Sequence, residues 1–138
     1  MRMRKDAKVE LIRSVPVFSH CTKRELAALA SEIDELAVRE GKTLTQQGEV
    51  GREFLVIVEG AADVHKHGRR INRLGAGDFL GEIALISGAP RTATVTTTAE
   101  SRLLVLTDRG FRRVVEKLPS VQGSIMKALS DRLWADTL

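Results

Sequence analysis

GDFLGEIALISGAPRTATV, residues 77–95, is the most informative part of this sequence. It contains an acid at Glu82 and its only base at Arg91, nine residues later. The guanidinium of an arginine is a planar fork that can bind a phosphate through two hydrogen bonds. A carboxylate does not favour a phosphate, but it accepts hydrogen bonds from the hydroxyl groups of a sugar. Together the two side chains predict a site for a nucleotide, although on their own they also fit a structural salt bridge between two strands.

The residues between these side chains favour a short helical turn. Glu82, followed by Ile83 and Ala84, suits the first turn of a helix, whose free N–H groups and partial positive charge attract an anion. Gly81 allows a ligand to approach the backbone closely, and Thr92 adds a hydroxyl donor. A short strand is an equally good interpretation, because periodicity does not separate the two in so short a run.

Outward from this stretch, residues 36–106 alternate short apolar runs with glycines. Many short strands with regular turns are typical of a sandwich or barrel. The strand candidates are FLVIVEG, AADVHKH, INRL, TATVTTT and SRLLVL. The block therefore predicts a fold built mainly from β-strands.

Helices are predicted on both sides of the strands. Residues 7–35 have apolar residues at helical spacing, and Thr22 with Glu25 three residues later forms a capping-box pattern. Residues 108–136 predict two further helices, separated at Pro119, because proline interrupts a helix.

The whole chain has the composition of one ordinary domain. It has 138 residues, of which 43% are hydrophobic and 29% are charged. Its formal net charge is +4, but the bases are interspersed with acids, which favours a mixed surface over a nucleic-acid-binding face. No apolar run reaches the ~18 residues of a membrane span, and the basic N-terminus lacks the apolar run of a signal peptide. We therefore expect a soluble, cytoplasmic protein without membrane insertion.

Residues 79–95 resemble the phosphate-binding cassette of cyclic-nucleotide-binding domains, the family found in cAMP-dependent kinase regulatory subunits, cyclic-nucleotide-gated channels and the catabolite activator protein. The family pattern is F-x-G-E-[IL]-A-L, a variable loop, and R-[STA]-A-[ST]-V. This sequence has FLGEIAL at 79–85 and RTATV at 91–95. The resemblance extends over nearly all of residues 1–138. It implies one domain, an eight-stranded, jelly-roll-like β-roll with N-terminal helices and two C-terminal helices that act as a lid.

The resemblance also implies which residues contact a cyclic nucleotide. Glu82 accepts a hydrogen bond from the ribose 2′-hydroxyl, and Arg91 pairs with the cyclic phosphate. Backbone groups near the phosphate and ribose, and further contacts, come from Gly81, Ile83, Ala84, Thr92 and Ala93. Apolar contacts to the base are expected from Val64, Ile71 and Leu80. A residue of the last helix is expected to cover the base. The candidates for that cover are Arg132, Leu133 and Trp134, and the sequence does not choose among them.

By the same resemblance the chain is a sensor rather than an enzyme. We expect cAMP as the ligand, with cGMP as the alternative, because a hydroxyl at the position of Thr92 occurs in family members that bind either. Binding is expected to reposition the C-terminal helices, which an unidentified protein effector or a second copy then recognises. No metal and no nucleic acid are expected partners.

Three other functions fit parts of the sequence. The first is a fragment of a cAMP-responsive transcription factor without its DNA-binding domain, since only 19 residues follow Pro119. The second is a cupin-like metal-binding protein, which the spacing of His65 and His67 suggests, although no later histidine completes a ligand set. The third is a domain that keeps the fold but has lost its ligand, against which the intact Glu82 and Arg91 argue.

Overall fold

The computed structural model describes residues 5–82, 85 and 90–137, without the side chains of Lys5 and of 132–137. The chain divides into two compact units. One contains the strands, Asp34–Asp108, and the other combines Met1–Ile33 with Arg109–Leu138.

The described helices and strands follow the predicted order of helices, strands and helices. The helices are α1 (Lys5–Ser14), α2 (Lys23–Glu32), α3 (Asp108–Lys117) and α4 (Ser120–Thr137), with a 3₁₀ turn at Pro16–Phe18. The strands are β1 (Asp34–Val38), β2 (Thr43–Thr45), β3 (Glu53–Glu59), β4 (Ala61–Lys66), β5 (Arg69–Gly75), β6 (Phe79–Leu80), β7 (Thr94–Thr97) and β8 (Ser101–Thr107). The helical run predicted for 7–35 ends earlier, at Glu32, because the chain is already extended at Ile33 and enters β1.

Eight described strands form two four-stranded antiparallel sheets, with the orders β1-β8-β3-β6 and β2-β7-β4-β5. This is the β-roll that the sequence predicts. The core of the strand unit contains Leu55, Ile57, Ala62, Leu80, Val95, Leu103 and Val105. All of these side chains are aliphatic, in keeping with a sequence in which only 4% of the residues are aromatic.

The short strand β6 positions the informative stretch of sequence. Phe79 and Leu80 pair with Val56 and Leu55 of β3, and both are buried. The ring of Phe79 lies 5.6 Å from that of Phe54, measured between centroids. Because β3 is anchored in the middle of its sheet, the backbone that enters Gly81 starts from a fixed position.

In the helical unit, the predicted capping box is confirmed. The hydroxyl of Thr22 accepts a hydrogen bond from the Glu25 amide at 3.2 Å, and the Glu25 carboxylate accepts one from the Thr22 amide at 2.7 Å. The same carboxylate accepts hydrogen bonds from Ser120 at 2.7 Å and Ser124 at 3.3 Å, on the first turns of α4. With only 2% of Glu25 exposed, one buried carboxylate joins the start of α2 to the start of α4.

These contacts predict a pH-dependent stability. Burial raises the pKa of Glu25, but the hydrogen bonds from Thr22, Ser120 and Ser124 outweigh it and hold the pKa below its ordinary value of 4.5. The stabilisation is therefore present above the unfolded-state pKa and is lost as the pH falls through the lower folded-state pKa. At neutral pH, Glu25→Gln is expected to cost about 1–3 kcal/mol of unfolding free energy, and less in acid. Urea unfolding at the two pH values measures this, with the exposed Glu10→Gln as the control. An equal loss at both would contradict it.

Candidate functional site

A cavity of about 210 Å³ lies within the strand unit. Its walls come from β2, β4, β5, β6 and β7 and from the segments that flank β6 and β7. The lining residues are Thr45, Val64, Leu74, Phe79, Leu80, Gly81, Glu82, Pro90, Arg91, Thr92, Ala93 and Val95. Seven of the predicted site residues are therefore brought together: Val64, Leu80, Gly81, Glu82, Arg91, Thr92 and Ala93.

The cavity has an apolar side and a polar side. Val64 and Leu74 are half-buried and, with Leu80 and Val95, face the space from strands of both sheets. Such a wall suits the flat, weakly polar face of a ring. Glu82, Arg91 and Thr92 supply charged groups and a hydroxyl to the same cavity, and Thr45 also lines it.

The side chain of Arg91 is held in place from several directions. Its Nη2 donates a hydrogen bond to the backbone carbonyl of Glu53 at 2.6 Å. The guanidinium lies between Gly51 and Gly81, and a Cβ atom at either position would overlap it. Gly81 also has a φ of +85°, which L side chains rarely adopt. Two glycines thus provide the room in which the arginine is oriented.

The backbone of Arg91 is equally well fixed. Its amide donates to the carbonyl of Glu49 at 2.8 Å, and its carbonyl accepts from the amide of Gly48 at 2.9 Å. Val50 and Pro90 form an isolated antiparallel bridge beside this pair. A cation held by both its backbone and its side chain loses little conformational freedom when an anion binds, which favours affinity.

The surroundings of Arg91 also set its electrostatics. Burial lowers the pKa of Arg91 below its ordinary value, and the charges of Glu53 and Glu82 offset part of that effect. The ordinary value is so high that the group stays charged near neutral pH. A partly desolvated cation interacts with an anion more strongly than one in bulk water does. The site therefore favours a bound anion such as a phosphate.

Glu82 lies next to this cation on the cavity wall and is half-buried. Its backbone carbonyl accepts a hydrogen bond from the amide of Leu85 at 3.1 Å, which closes one turn of chain. The rest of the predicted helical turn, including Ile83 and Ala84, lies outside the described residues.

The residues after Arg91 have different roles. Thr92 is exposed at the cavity, so its hydroxyl is accessible to a ligand. The carbonyl of Ala93 accepts a hydrogen bond from the buried Thr45 hydroxyl at 3.0 Å. The hydroxyl of Thr94 accepts one from the backbone amide of Gln47 at 2.9 Å. Thr45 and Thr94 therefore fix the segment that leads from Arg91 into β7.

One predicted base contact is not brought to the cavity. Ile71 is 58% exposed and does not line the space. The register between β4 and β5 shifts from Val64 opposite Asn72 to His65 opposite Arg70, which leaves Ile71 as the extra residue of a bulge. A bulge interrupts the alternation of inward and outward side chains along a strand. Leu74, further along β5, lines the cavity instead.

The predicted cover of the base lies at the end of α4. The backbone of Arg132, Leu133 and Trp134 is helical, and their side chains lie outside the described part of the chain. Their role therefore stays a prediction.

The residues of the site that were not predicted as ligand contacts from the sequence include Thr45, Gly51, Glu53 and Leu74. Gly51 and Glu53 precede Arg91 by about forty residues, and their sequence signal is only a glycine next to a strand. Nothing local indicates that this glycine faces a distant guanidinium. Only the pairing of strands brings the two segments together.

The alternatives based on metal binding or thiol chemistry gain no support. Residues 5–82, 85 and 90–137 contain no group of three or more His, Cys, Asp and Glu side chains able to hold a metal ion. His67, with a φ of 52°, occupies the turn between β4 and β5 and donates its amide to the side chain of Gln47 at 2.9 Å. Burial and the charge of Glu25 raise the pKa of Cys21 to about 12, so it is not a thiolate. Within the described part, no helix has the length and apolar character needed to cross a membrane.

Comparison with known proteins agrees with the geometry. The model of the family described as "Cyclic nucleotide-binding domain" matches residues 35–117. A cAMP-dependent protein kinase regulatory subunit of Mycosarcoma maydis is 32% identical over 121 residues, which cover 81% of this chain and 23% of that protein. The chain thus spans about a quarter of that relative's length.

Two solved structures are similar over most of the chain. The N-terminal domain of a transcriptional regulator from Streptomyces coelicolor A3(2) has a TM-score of 0.80 at 27% identity, and the match covers 92% of each chain. The regulatory domain of Toxoplasma gondii PKA, crystallised with cAMP, has a TM-score of 0.75 at 26% identity, over 93% of this chain and 50% of that one.

Proposed function

This chain belongs to the cyclic nucleotide-binding domain family, and we propose that it is a regulatory module whose ligand is cAMP, bound in the cavity of the strand unit. The observation that carries the proposal is the half-buried guanidinium of Arg91, held between Gly51 and Gly81 at the polar side of an apolar cavity. A phosphate that carries a single negative charge matches one such cation.

In the proposed complex, Arg91 pairs with the cyclic phosphate and Glu82 accepts a hydrogen bond from the ribose 2′-hydroxyl. The base lies against the apolar side, formed by Val64, Leu74 and Leu80. The backbone contacts of Ile83 and Ala84, and the cover from Arg132, Leu133 or Trp134, belong to the same proposal.

The preference for cAMP over cGMP is supported by the relatives. The Mycosarcoma maydis protein is named a cAMP-dependent kinase subunit, and the Toxoplasma gondii domain was crystallised with cAMP. Thr92 is exposed beside the phosphate-binding arginine and suits either base. The choice between cAMP and cGMP is therefore left to a comparison of their binding.

Thermal unfolding with cAMP, cGMP and AMP tests the proposal. A ligand at a thousand times its dissociation constant stabilises the folded state by about 4 kcal/mol, which raises the melting temperature. We expect the largest shift with cAMP, a smaller one with cGMP and almost none with AMP, whose phosphate is not cyclic. If none of the cyclic nucleotides raises the melting temperature at millimolar concentration, the proposed binding is wrong. A larger shift with cGMP would overturn the preference alone.

Binding is proposed to reach the C-terminal helices through residues 51–53. Gly51 and Glu53 contact the guanidinium of Arg91. The backbone carbonyl of Arg52, which lies between them, accepts a hydrogen bond from the amide of Asp108 at 2.8 Å. The Arg52 guanidinium lies 3.6 Å from the Asp108 carboxylate. Asp108 is the first residue of α3. A ligand that attracts the guanidinium therefore acts on backbone that also holds the start of this helix.

Hydrogen exchange tests this coupling. Saturating cAMP is expected to slow exchange of the amides at the start of α3 several-fold, because a ligand shifts the equilibrium toward the conformation that it binds more tightly. The amides of α1 serve as the internal control. Unchanged exchange in α3, with slowed exchange around Arg91, would show that binding stays local.

The remaining parts of the proposal concern the setting. The module itself is proposed to catalyse no reaction, since its family binds ligands for regulation, and to act in the cytoplasm. Its output is proposed to be recognised by a protein effector or by a second copy, with no nucleic acid or membrane bound through this chain.

A second candidate is the sensor of a transcription factor, which the similarity to the Streptomyces coelicolor regulator favours. This candidate is tested by measuring whether the full-length protein, purified from its native organism, binds DNA only in the presence of cAMP. The cupin-like alternative has no comparable observation in its favour, and metal analysis of the purified protein tests it.

A further inference from the structure

The β4–β5 hairpin carries most of the excess positive charge of the chain. Residues 63–73 contain four Lys and Arg side chains and one acid, an excess of three positive charges, whereas the whole chain has a formal excess of four. The four cations are Lys66, Arg69, Arg70 and Arg73. The mixed surface predicted from the sequence therefore does not extend to this hairpin, because the turn brings the bases of two strands together.

All four cations are exposed, and an apolar residue lies among them. Ile71, the extra residue of the β5 bulge, is 58% exposed. Lys66 pairs across the hairpin with Arg69. In the ranges that the structure describes, neither of these two cations has an acidic partner within salt-bridge distance. The face is thus cationic, with one apolar contact point.

Asp63 lies close to two of the arginines. Its carboxylate lies 3.4 Å from Nε of Arg73 and 4.0 Å from Nη1 of Arg70, and only 18% of the Asp63 side chain is exposed. Each guanidinium has five N–H donors in a rigid fork, so each keeps donors for another acceptor. The two guanidiniums can therefore pair with carboxylates of a partner protein as well as with Asp63.

We propose that residues 63–73 are a docking surface for an acidic segment of a partner protein, whose carboxylates pair with these cations while an apolar side chain contacts Ile71. Charged side chains on an edge strand such as β5 often serve to prevent pairing with another chain. That role does not explain the exposed Ile71, because an exposed apolar side chain favours association. A lipid surface has no fixed acceptor spacing. A duplex is usually neutralised by more than four cations. The four cations and Ile71 do not line the proposed nucleotide site.

The test measures binding of a fluorescein-labelled peptide, with glutamates on both sides of a central leucine, to the full chain by fluorescence anisotropy. The double variant Lys66→Gln/Arg69→Gln is expected to weaken binding about tenfold. It leaves Asp63 with both of its arginine partners, so the hairpin keeps its internal ion pairs. The matched control is Arg24→Gln/Arg112→Gln, which removes the same charge from exposed positions on α2 and α3 and is expected to bind as the wild type does. Ile71→Ser is expected to weaken binding about threefold.

Binding should also weaken steeply as the salt concentration rises to about 0.3 M, because exposed charges are screened. A peptide with glutamine in place of glutamate serves as the negative control. The proposal is overturned if the wild type does not bind the acidic peptide, if the two double variants bind it equally, or if DNA or phosphatidylserine vesicles bind the hairpin more tightly than the peptide does. The melting shift with cAMP, measured on the same variants, reports separately on the nucleotide site.

Discussion

Arg91→Ala is expected to weaken cAMP binding by about thirtyfold or more while the chain remains folded. The variant removes the cation assigned to the cyclic phosphate and leaves that phosphate beside Glu53 and Glu82, whose charges the arginine now offsets. Removing one partner of a buried, hydrogen-bonded charge pair costs about 2–5 kcal/mol, and each 1.4 kcal/mol is about a factor of ten in affinity. Isothermal titration calorimetry measures the loss directly.

Two further variants make this result specific. Arg91→Lys keeps the charge but loses the planar fork, so an intermediate affinity is expected. Arg102→Ala removes an arginine from the same unit whose exposed partner, Glu59, lies 3.1 Å away. That variant is expected to bind cAMP like the wild type, because exposed ion pairs contribute little. If Arg91→Ala itself binds cAMP normally, the phosphate lies elsewhere.

Gly51→Ala is expected to weaken cAMP binding ten- to a hundredfold, although residue 51 has no predicted contact with the ligand. An alanine Cβ at this position would occupy the space of the Arg91 guanidinium, so the guanidinium must move. Displacing a charged donor by about an ångström from its acceptor removes much of a charge-assisted hydrogen bond, which is worth about 1.5–3 kcal/mol. Gly51 does not have the positive φ that disfavours alanine, so little backbone strain is expected.

The control for this variant is Gly75→Ala, in the same unit. Its added Cβ would meet no heavy atom within 4 Å, and its φ is also outside the left-handed region. We expect unchanged cAMP affinity there, measured by the same titration. Wild-type affinity in Gly51→Ala would mean that the guanidinium leaves its place between the two glycines when the ligand binds.

Local patterns explain which parts of the fold could be predicted. The capping box of Thr22 and Glu25 is encoded within four residues, and the apolar runs of the strands within seven. The end of the first helical part was placed too late because Ile33 continues the apolar spacing of α2 while its backbone is already extended. Periodicity reports which side chains are buried, and it does not fix the residue at which a helix ends.

The site divides in the same way. Glu82, Arg91 and Thr92 were predicted because the chemistry lies in one continuous stretch. Ile71 does not line the described cavity because it is the extra residue of a bulge, and no residue type marks this bulge. Thr45 and Gly51 were missed because they reach the site through pairing with residues more than thirty positions away.

The two glycines around the Arg91 guanidinium also predict which substitutions related sequences tolerate at these positions. Gly81 is constrained by its own backbone, with a φ of +85°, whether or not an arginine is present. At Gly51, which lacks a positive φ, the nearest atoms that an added Cβ would meet all belong to Arg91. A lineage that replaces the arginine with a short side chain is released from the need for glycine at 51 but not at 81. If Arg91 binds a phosphate as proposed, substitution at 51 with glycine retained at 81 is expected in relatives that have lost this anion site.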